Sequence, residues 1–358
     1  MKSDSISSIC RNTFFTMTES GPDSDIAVTS RIRLARNVKG IPFPVQADSH
    51  QLREIIDTVH LPLKESNLLS DVTCIDMESV SQLEADMLFE RHIISKEFSA
   101  GRKNASLVLS AEKNIAVMIN EEDHLRIQCI MPGFQFDKTW SEIDALDTEL
   151  SEHISYEFDS RLGYLTSCPS NVGTGMRASV MVHLPALTLS GLSEPVMQSI
   201  YKMGLTVRGL AGEGSANIGN LFQISNQSTL GESEKDIIDR LYYTVQQIIN
   251  HERNARSKLL ETRKNFLLDK IGRAYGRLKY SYLLSTSEAL ESLSMLKLGA
   301  DMNIIASVDI DTVNELFIIS QPAHLQNKYN SVMNTEERDE ARAELFRNTL
   351  AGTNDKKD

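Results

Sequence analysis

Four short runs concentrate the residues of this chain that can do chemistry. Cys168-Pro169-Ser170-Asn171-Val172-Gly173-Thr174-Gly175-Met176-Arg177 joins a thiol, a tight turn and an arginine that opens an apolar strand. Pro169 fixes φ and removes a backbone donor, while Gly173 and Gly175 permit conformations closed to residues with a Cβ. Such a loop can bring a sulfur and a fixed positive charge to one cleft. Asn120-Glu121-Glu122-Asp123-His124-Leu125-Arg126 supplies carboxylates and another arginine, and Arg208-Gly209-Leu210-Ala211-Gly212-Glu213-Gly214 supplies both again. Thr29-Ser30-Arg31-Ile32-Arg33 adds two more arginines near the N-terminus. Arginine forks onto phosphate oxygens bidentately and keeps its charge. Arg31, Arg33, Arg126, Arg177 and Arg208 are therefore candidates for binding phosphate. Taken singly, each reads first as a surface or ion-pair residue, and residues 120–123 read equally well as a solvated turn between two strands.

Several chemistries are absent. There is no GxxxxGK[ST] loop for a Walker-type nucleotide site, and no HRD or DFG run of the eukaryotic-type protein kinases. Gly173-Thr174-Gly175 lacks the βαβ context and acidic ribose partner of a dinucleotide site. The chain has 358 residues with 37 basic against 49 acidic side chains, a net charge of −12. An acidic chain is a poor general binder of nucleic acid, and an arginine-bearing substrate or basic protein partner fits better. Cys10, Cys74, Cys129 and Cys168 form no CxxC pair, so free thiols in a reducing cytoplasm are expected. No apolar run suggests a signal core or a membrane span.

The elements that must position these runs follow from periodicity. Ser81-Gln82-Leu83-Glu84 is a capping box that opens a helix to about Ser95. Ser106–Ser110, Asn114–Asn120 and Leu125–Ile130 read as antiparallel strands. Arg177–Leu184 alternates, with Ala178, Val180, Val182 and Leu184 on one side and Arg177, Ser179, Met181 and His183 on the other. Gly204–Leu210 and Asn220–Ser225 read as further strands, and a long helix starts near Ser233 with Asp236 three residues on. After about residue 255 glycine thins out and helical spacing dominates. The residues alone indicate an α+β class with a separate helical C-terminal domain.

These runs, in this order, resemble the guanido (phosphagen) kinase family, most closely its bacterial branch, the protein-arginine kinases (McsB type). The resemblance covers roughly residues 25–255 as a catalytic domain and extends through the C-terminal region. It implies a catalytic domain with a central antiparallel sheet flanked by helices, plus a C-terminal α-helical domain. The expected division is an N-terminal tail (1–25), the catalytic domain (26–255) and a helical phosphoarginine-binding regulatory domain (256–358). It also implies ATP, with Mg²⁺ held mainly by the nucleotide phosphates. Arg31, Arg33, Arg126, Arg177 and Arg208 would hold those phosphates, with Thr29, Ser30 and Ile32 of the first run. Backbone amides of Ala178, Ser179, Val180 and Met181, and of Gly209, Leu210, Ala211 and Gly212, would help. His92 matches a position that contacts the base or ribose.

Glu122, placed in register by Arg126 four residues later, aligns with the carboxylate that grips and deprotonates the guanidinium. Glu213 aligns with the second carboxylate, on a glycine-flanked loop. The chemistry calls for such a pair, because a guanidinium loses its proton only above about pH 12 and must be oriented in line with phosphorus. Cys168 would lie against the substrate guanidinium and tune it. The local spelling Thr166-Ser167-Cys168 departs from the Thr-Cys of many phosphagen kinases.

Phosphagen kinases for free guanidines carry a helical N-terminal domain of roughly a hundred residues. Here the Thr29–Arg33 run begins almost at once, so that domain is expected to be lacking and the site open to a protein side chain. Arg338-Asp339-Glu340-Ala341-Arg342-Ala343 matches the RDxxRA motif that binds phosphoarginine allosterically in the bacterial branch. Arg338, Asp339, Arg342 and Ala343 would belong to that site, on a helix over Thr335–Leu350 capped by Asn334 or Thr335 and ended by Gly352. Implied partners are proteins with exposed arginines, a heat-shock transcriptional repressor as substrate, an activator of the McsA type, a Clp-type ATPase and protease, and a second copy in a homodimer. No nucleic acid or membrane is expected. The implied setting is cytoplasmic stress response and protein quality control. A kinase for free arginine and a non-catalytic phosphoarginine reader are the alternatives.

Overall fold

The stretch Ala-Val-Thr-Ser-Arg-Ile-Arg-Leu-Ala-Arg alternates, and it forms β1 (Ala27–Arg36), from which the sheet is organised. The computed structural model describes Ile6 and residues 21–69, 71–101, 103–209 and 218–351. Cys10 and Gly352 lie outside these residues. After β1 come α1 (Ser49–Glu65), β2 (Val72–Asp76), α2 (Gln82–Glu90) and α3 (Lys96–Ala100). Three strands follow, β3 (Ser106–Ser110), β4 (Ile115–Ile119) and β5 (Leu125–Pro132), then α4 (Phe136–His153) and the short pair β6 (Phe158–Asp159) and β7 (Gly163–Tyr164). β8 (Met176–His183), α5 (Pro185–Leu189), α6 (Ser193–Lys202), β9 (Leu205–Gly209), β10 (Leu221–Asn226) and α7 (Glu234–Thr262) complete this part. The remainder is helical: α8 (Lys264–Tyr280), α9 (Thr286–Asp301), α10 (Ile310–Ile319), α11 (Pro322–Tyr329) and α12 (Thr335–Ala351).

Eight strands form one sheet in the order β2-β3-β4-β5-β1-β8-β10-β9, with every neighbouring pair antiparallel. Ile32, Leu34, Ile127, Cys129, Ala178, Val180, Val182 and Ile224 share one face and are buried beneath α1, α4 and α7. This apolar face is the main core. A second cluster joins α2, α3 and the β3–β5 edge, and a third joins the C-terminal helices to Val28 and Leu221 of the sheet.

The capping boxes at Ser81 and Ser233 both form. α2 nevertheless stops at Glu90, short of the expected Ser95. His92 takes a left-handed conformation (φ +60°), and Gln128 Nε2 pins the break by donating to the carbonyls of His92 (3.2 Å) and Ile93 (2.6 Å). Ser95 then caps α3. The expected division after residue 255 falls inside α7, which runs unbroken with Glu252, Ala255 and Arg256 buried. Within the expected tail, Asp23 and Asp25 pair with Arg253 of α7 at 2.7 and 2.9 Å. Among the described residues no helix is long and apolar enough to cross a membrane.

Candidate active site

Strand register gathers the arginines. Arg31 and Arg33 are two apart on β1 and so share a face. Arg33 stands directly opposite Arg177 of β8, and Arg31 opposite Ser179. On the other side Ala35, in step with both, faces Arg126 of β5. Gln223 of β10 faces Met181 on one side and Arg208 of β9 on the other. Paired residues point the same way, so all five arginines lie on the face opposite the apolar core. Like charges placed directly opposite in a sheet destabilise it unless something negative lies between them.

Carboxylates compensate this face only in part. Arg126 Nη1 pairs with Glu121 Oε2 at 2.9 Å, and Glu121 also accepts from Ser95 Oγ. Burial works against Arg126's charge, but Glu121, Glu122 and Asp123 outweigh it and raise its pKa. Arg31 and Arg33 make no ion pair among the described residues. Burial and the charges of Arg126 and Arg177 lower Arg31 to about 10. Burial, with Arg31, Arg126 and Arg177, also lowers Arg33, despite Glu121. Its Nε is buried with no hydrogen-bond partner. Arg177 donates to Ser225 Oγ at 3.1 Å. A triphosphate fits this cradle: it supplies acceptors for the orphaned donor and negative charge for the crowded cations. A cleft of about 460 Å³ opens beside Arg31, with His92, Ser179, Met181 and Gln223 in its lining. Burial and Arg31 lower His92 to about 4, so its imidazole is neutral near pH 7.

The 120–123 turn divides its three acids by environment. The Glu121 side chain is only 4% exposed and is committed to Arg126 and Ser95. Asp123 is buried and accepts from Asn37 Nδ2 and from the Ser167 amide, both at 2.7 Å. Glu122 is half-buried. Burial comes first in raising its pKa, with Asp123 and Glu121 adding and Arg126 and the Cys168 thiol opposing. The Cys168 thiol lies near enough to the Glu122 carboxylate to lower its pKa and 3.0 Å from Ser170 Oγ, and Ser167 Oγ donates to the Glu122 carbonyl at 2.7 Å. The structure brings together Glu122 and Cys168, which are 46 residues apart.

The loop carrying Cys168 is held by backbone approach that only glycine permits. A Cβ on Gly173 (φ +114°) would sit 2.1 Å from the Thr229 carbonyl oxygen, and Thr229 Oγ1 donates to the carbonyls of Ser170 (2.9 Å) and Val172 (2.7 Å). Beneath it, buried Arg36 donates to the Thr174 carbonyl at 2.9 Å, pairs with Asp147 at 2.7 Å, and lies 3.6 Å from the Tyr164 ring centroid.

The remaining expected residues divide. Thr29 and Ser179 lie with the arginines, and Gln223 Nε2 donates to Ser179 Oγ at 3.0 Å. Ile32, Ala178 and Val180 face the opposite core. Ser30 is buried and donates from Oγ to the Gly133 carbonyl at 2.8 Å. Gly209 ends β9, whereas Leu210, Ala211, Gly212 and Glu213 lie outside the described residues. Sequence reasoning missed Asn37, Asp123, Gln223 and the Arg36–Asp147 pair. Gln223 was detectable as the polar interruption in Leu221-Phe222-Gln223-Ile224. Among the described residues no group of three or more His, Cys, Asp or Glu side chains is placed to hold a metal ion.

In the C-terminal region, Asn334 and Glu337 form a reciprocal cap on α12. Arg338 and Arg342 are four residues apart on this helix, but their surroundings differ. Arg342 is buried, donating to the carbonyls of Ser320 (2.9 Å) and Leu284 (2.7 Å) and to Asp339 Oδ1 (2.6 Å). Ala341 and Ala343 are buried with it. Arg338 turns back to Thr335 Oγ1 at 3.3 Å. Spacing shows that two residues share a side of a helix, not how deeply each is buried.

An antiparallel sheet with an arginine face, a half-buried glutamate and a cysteine defines a phosphotransferase site, and the comparisons agree. Residues 54–255 match the model of the ATP:guanido phosphotransferase C-terminal catalytic domain, and the chain belongs to that family of kinases. Residues 264–358 match the protein-arginine kinase McsB C-terminal domain. The chain is 43% identical over 330 residues to the protein-arginine kinase of Caldanaerobacter subterraneus subsp. tengcongensis, covering 92% of this chain and 98% of that one. It is 43% identical over 337 residues to the protein-arginine kinase of Halalkalibacterium halodurans, covering 93% and 94%. In fold it is similar to a lombricine kinase (TM-score 0.57, 24% identity, 68% of this chain and 71% of that one). It is also similar to a duplicated taurocyamine kinase from Schistosoma mansoni (TM-score 0.59, 20% identity, 81% and 48%).

Proposed function

We propose that this chain is an ATP-dependent protein-arginine kinase, with Glu122 as the base and the arginine face as the phosphate cradle. The observation that carries the reading is the juxtaposition of two things: a crowded, partly uncompensated arginine face, and a half-buried glutamate beside a cysteine thiol. Arg31, Arg33, Arg126, Arg177 and Arg208 orient the triphosphate and take up charge as it develops on the transferring group. Glu122 holds one edge of the substrate guanidinium. As its nitrogen bonds to the γ-phosphorus, the bond from phosphorus to the ADP oxygen breaks and the guanidinium proton passes to the Glu122 carboxylate. The raised pKa of Glu122 makes it a better proton acceptor than an ordinary glutamate. Cys168, beside that carboxylate, sits where it can touch the same guanidinium. Glu213 is proposed as the second carboxylate. Mg²⁺ would supply charge neutralisation on the phosphates, carried with the nucleotide.

The names of the relatives and the C-terminal domain match support protein arginine over free arginine as acceptor. The same resemblance supports a role in marking proteins for Clp-type proteolysis, inactivation of a heat-shock repressor, an activator of the McsA type, and a phosphoarginine-reading C-terminal region. The test is to give the protein ATP, Mg²⁺, free arginine and an arginine-rich protein together. Acid-labile phosphate on the protein supports the reading. Phosphate on free arginine alone would make the chain a phosphagen kinase, and none on either would leave it a binding module.

A further inference from the structure

We propose that Glu90 is a positioning residue for the nucleotide. It fastens the corner between α10 and α11 against the catalytic sheet, so that helices of the C-terminal region close the base end of the cleft. This rests on the nucleotide reading above. The cleft beside Arg31 has two unlike ends. Arg31, Glu90, Arg91 and His92 supply charged and polar lining, whereas the C-terminal helices supply an apolar wall of Leu290 from α9 and Phe317 and Ile318 from α10, with Gln321 at the corner. A triphosphate belongs with the cations, and a purine ring belongs with the apolar wall. That wall comes from a part of the chain more than sixty residues beyond the sheet's last strand.

The wall is held by a compact latch. Glu90, the last residue of α2, accepts from the amide of Ala323 at 2.7 Å and from that of His324 at 3.1 Å, in the first turn of α11. A carboxylate there answers both the unpaired amides and the positive end of the helix dipole. Glu90 Oε2 also lies 2.7 Å from His324 Nδ1, and Arg91 Nε donates to His324 Nε2 at 3.0 Å. The next residue along the chain is His92, at the cationic end of the cleft. On the far side, Arg342 grips the corner through the Ser320 carbonyl. The segment Phe317–His324 is therefore clamped between α2 and α12 while Phe317 and Ile318 line the cleft. The hydrogen bonds of Glu90 run to Ala323 and His324 and not to the arginines of the phosphate cradle, so loosening the latch should act first on the base end.

The test measures binding of ADP and of inorganic tripolyphosphate to the full chain by calorimetry. Glu90→Gln keeps the shape of the side chain and removes its charge. It should weaken ADP about fivefold or more while tripolyphosphate binds about as in the wild type. Ile318→Ala removes part of the wall itself and should show the same selective loss, which keeps the test decisive if Glu90→Gln does not fold. Arg31→Lys should weaken both ligands. Equal weakening of both ligands by Glu90→Gln and Ile318→Ala, or no weakening of either, would overturn the proposal while the Arg31→Lys result leaves the phosphate site standing. An Arg31→Lys variant that binds both ligands normally would instead overturn the site assignment, and the proposal with it.

Discussion

Glu122 differs from its neighbours in that, among the described residues, its carboxylate lies beside the Cys168 thiol and is not committed to an arginine or a backbone amide. Glu121 is bound to Arg126 and Ser95, and Asp123 to Asn37 and Ser167. Glu122→Gln keeps the side chain's shape and removes the base. Turnover should fall roughly 10²–10⁴-fold with ATP affinity little changed, as read from steady-state rates and direct nucleotide binding. Near-normal turnover would move the base elsewhere. Cys168 bears on the same group through pH. Its thiol favours the ionised carboxylate and so holds the Glu122 pKa down against burial, Asp123 and Glu121. Activity needs the carboxylate ionised, so the acid limb of the rate profile reports this pKa. In Cys168→Ala that limb should move to higher pH. An unmoved limb would mean that the thiol does not act on Glu122 in the working enzyme.

Among the elements, the loop from Cys168 to Gly175 is the most tightly constrained, through Gly173. In Gly173→Ala a Cβ would meet the Thr229 carbonyl at 2.1 Å from a backbone already at φ +114°. The cost should be about 1–3 kcal/mol in denaturant unfolding, with a larger loss of activity because Cys168 is displaced. Unchanged stability would mean that the loop is not pinned to Thr229. That loop was legible in the sequence because its chemistry is local: proline, two glycines and a cysteine in eight residues. β3, β8 and the caps at Ser81 and Ser233 were legible for the same reason. The common face of the five arginines was not read, although the two-residue spacing of Arg31 and Arg33 signals a shared face once β1 is taken as a strand. The rest depends on pairs far apart in sequence. Arg36 meets Asp147 across 111 positions, and Glu90 meets His324 across 234. The end of α2 at Glu90 was equally hidden, because the break at His92 is set by Gln128 from β5.

Across the whole molecule, the sheet and the C-terminal helices share buried polar contacts. His183 of β8 lies 2.8 Å from Ser294 Oγ of α9, where burial and the charges of Lys297 and Arg256 push its pKa well below 6.5. The unfolded chain takes up a proton near pH 6.5 and the folded chain does not. Stability from this residue is therefore complete above that pH and declines below it, by about 1.4 kcal/mol per pH unit. His92 acts in the same sense until about pH 4. Buried Glu252 and Asp301, whose pKa values are raised, act in the opposite sense. The readout is therefore the difference between wild type and His183→Asn. The variant should lose less stability between pH 6.5 and about pH 5, and parallel curves would contradict this. The central claim, that this arginine face and Glu122 together phosphorylate arginine in proteins, has its most direct test in mass spectrometry. An arginine-rich protein is incubated with Mg–ATP and either the wild-type chain or Glu122→Gln, and the modified side chains are located under non-acidic conditions. The account predicts phosphate on arginine with the wild type and almost none with the variant. Phosphate on serine, threonine or tyrosine, or equal arginine phosphorylation by both, would contradict it.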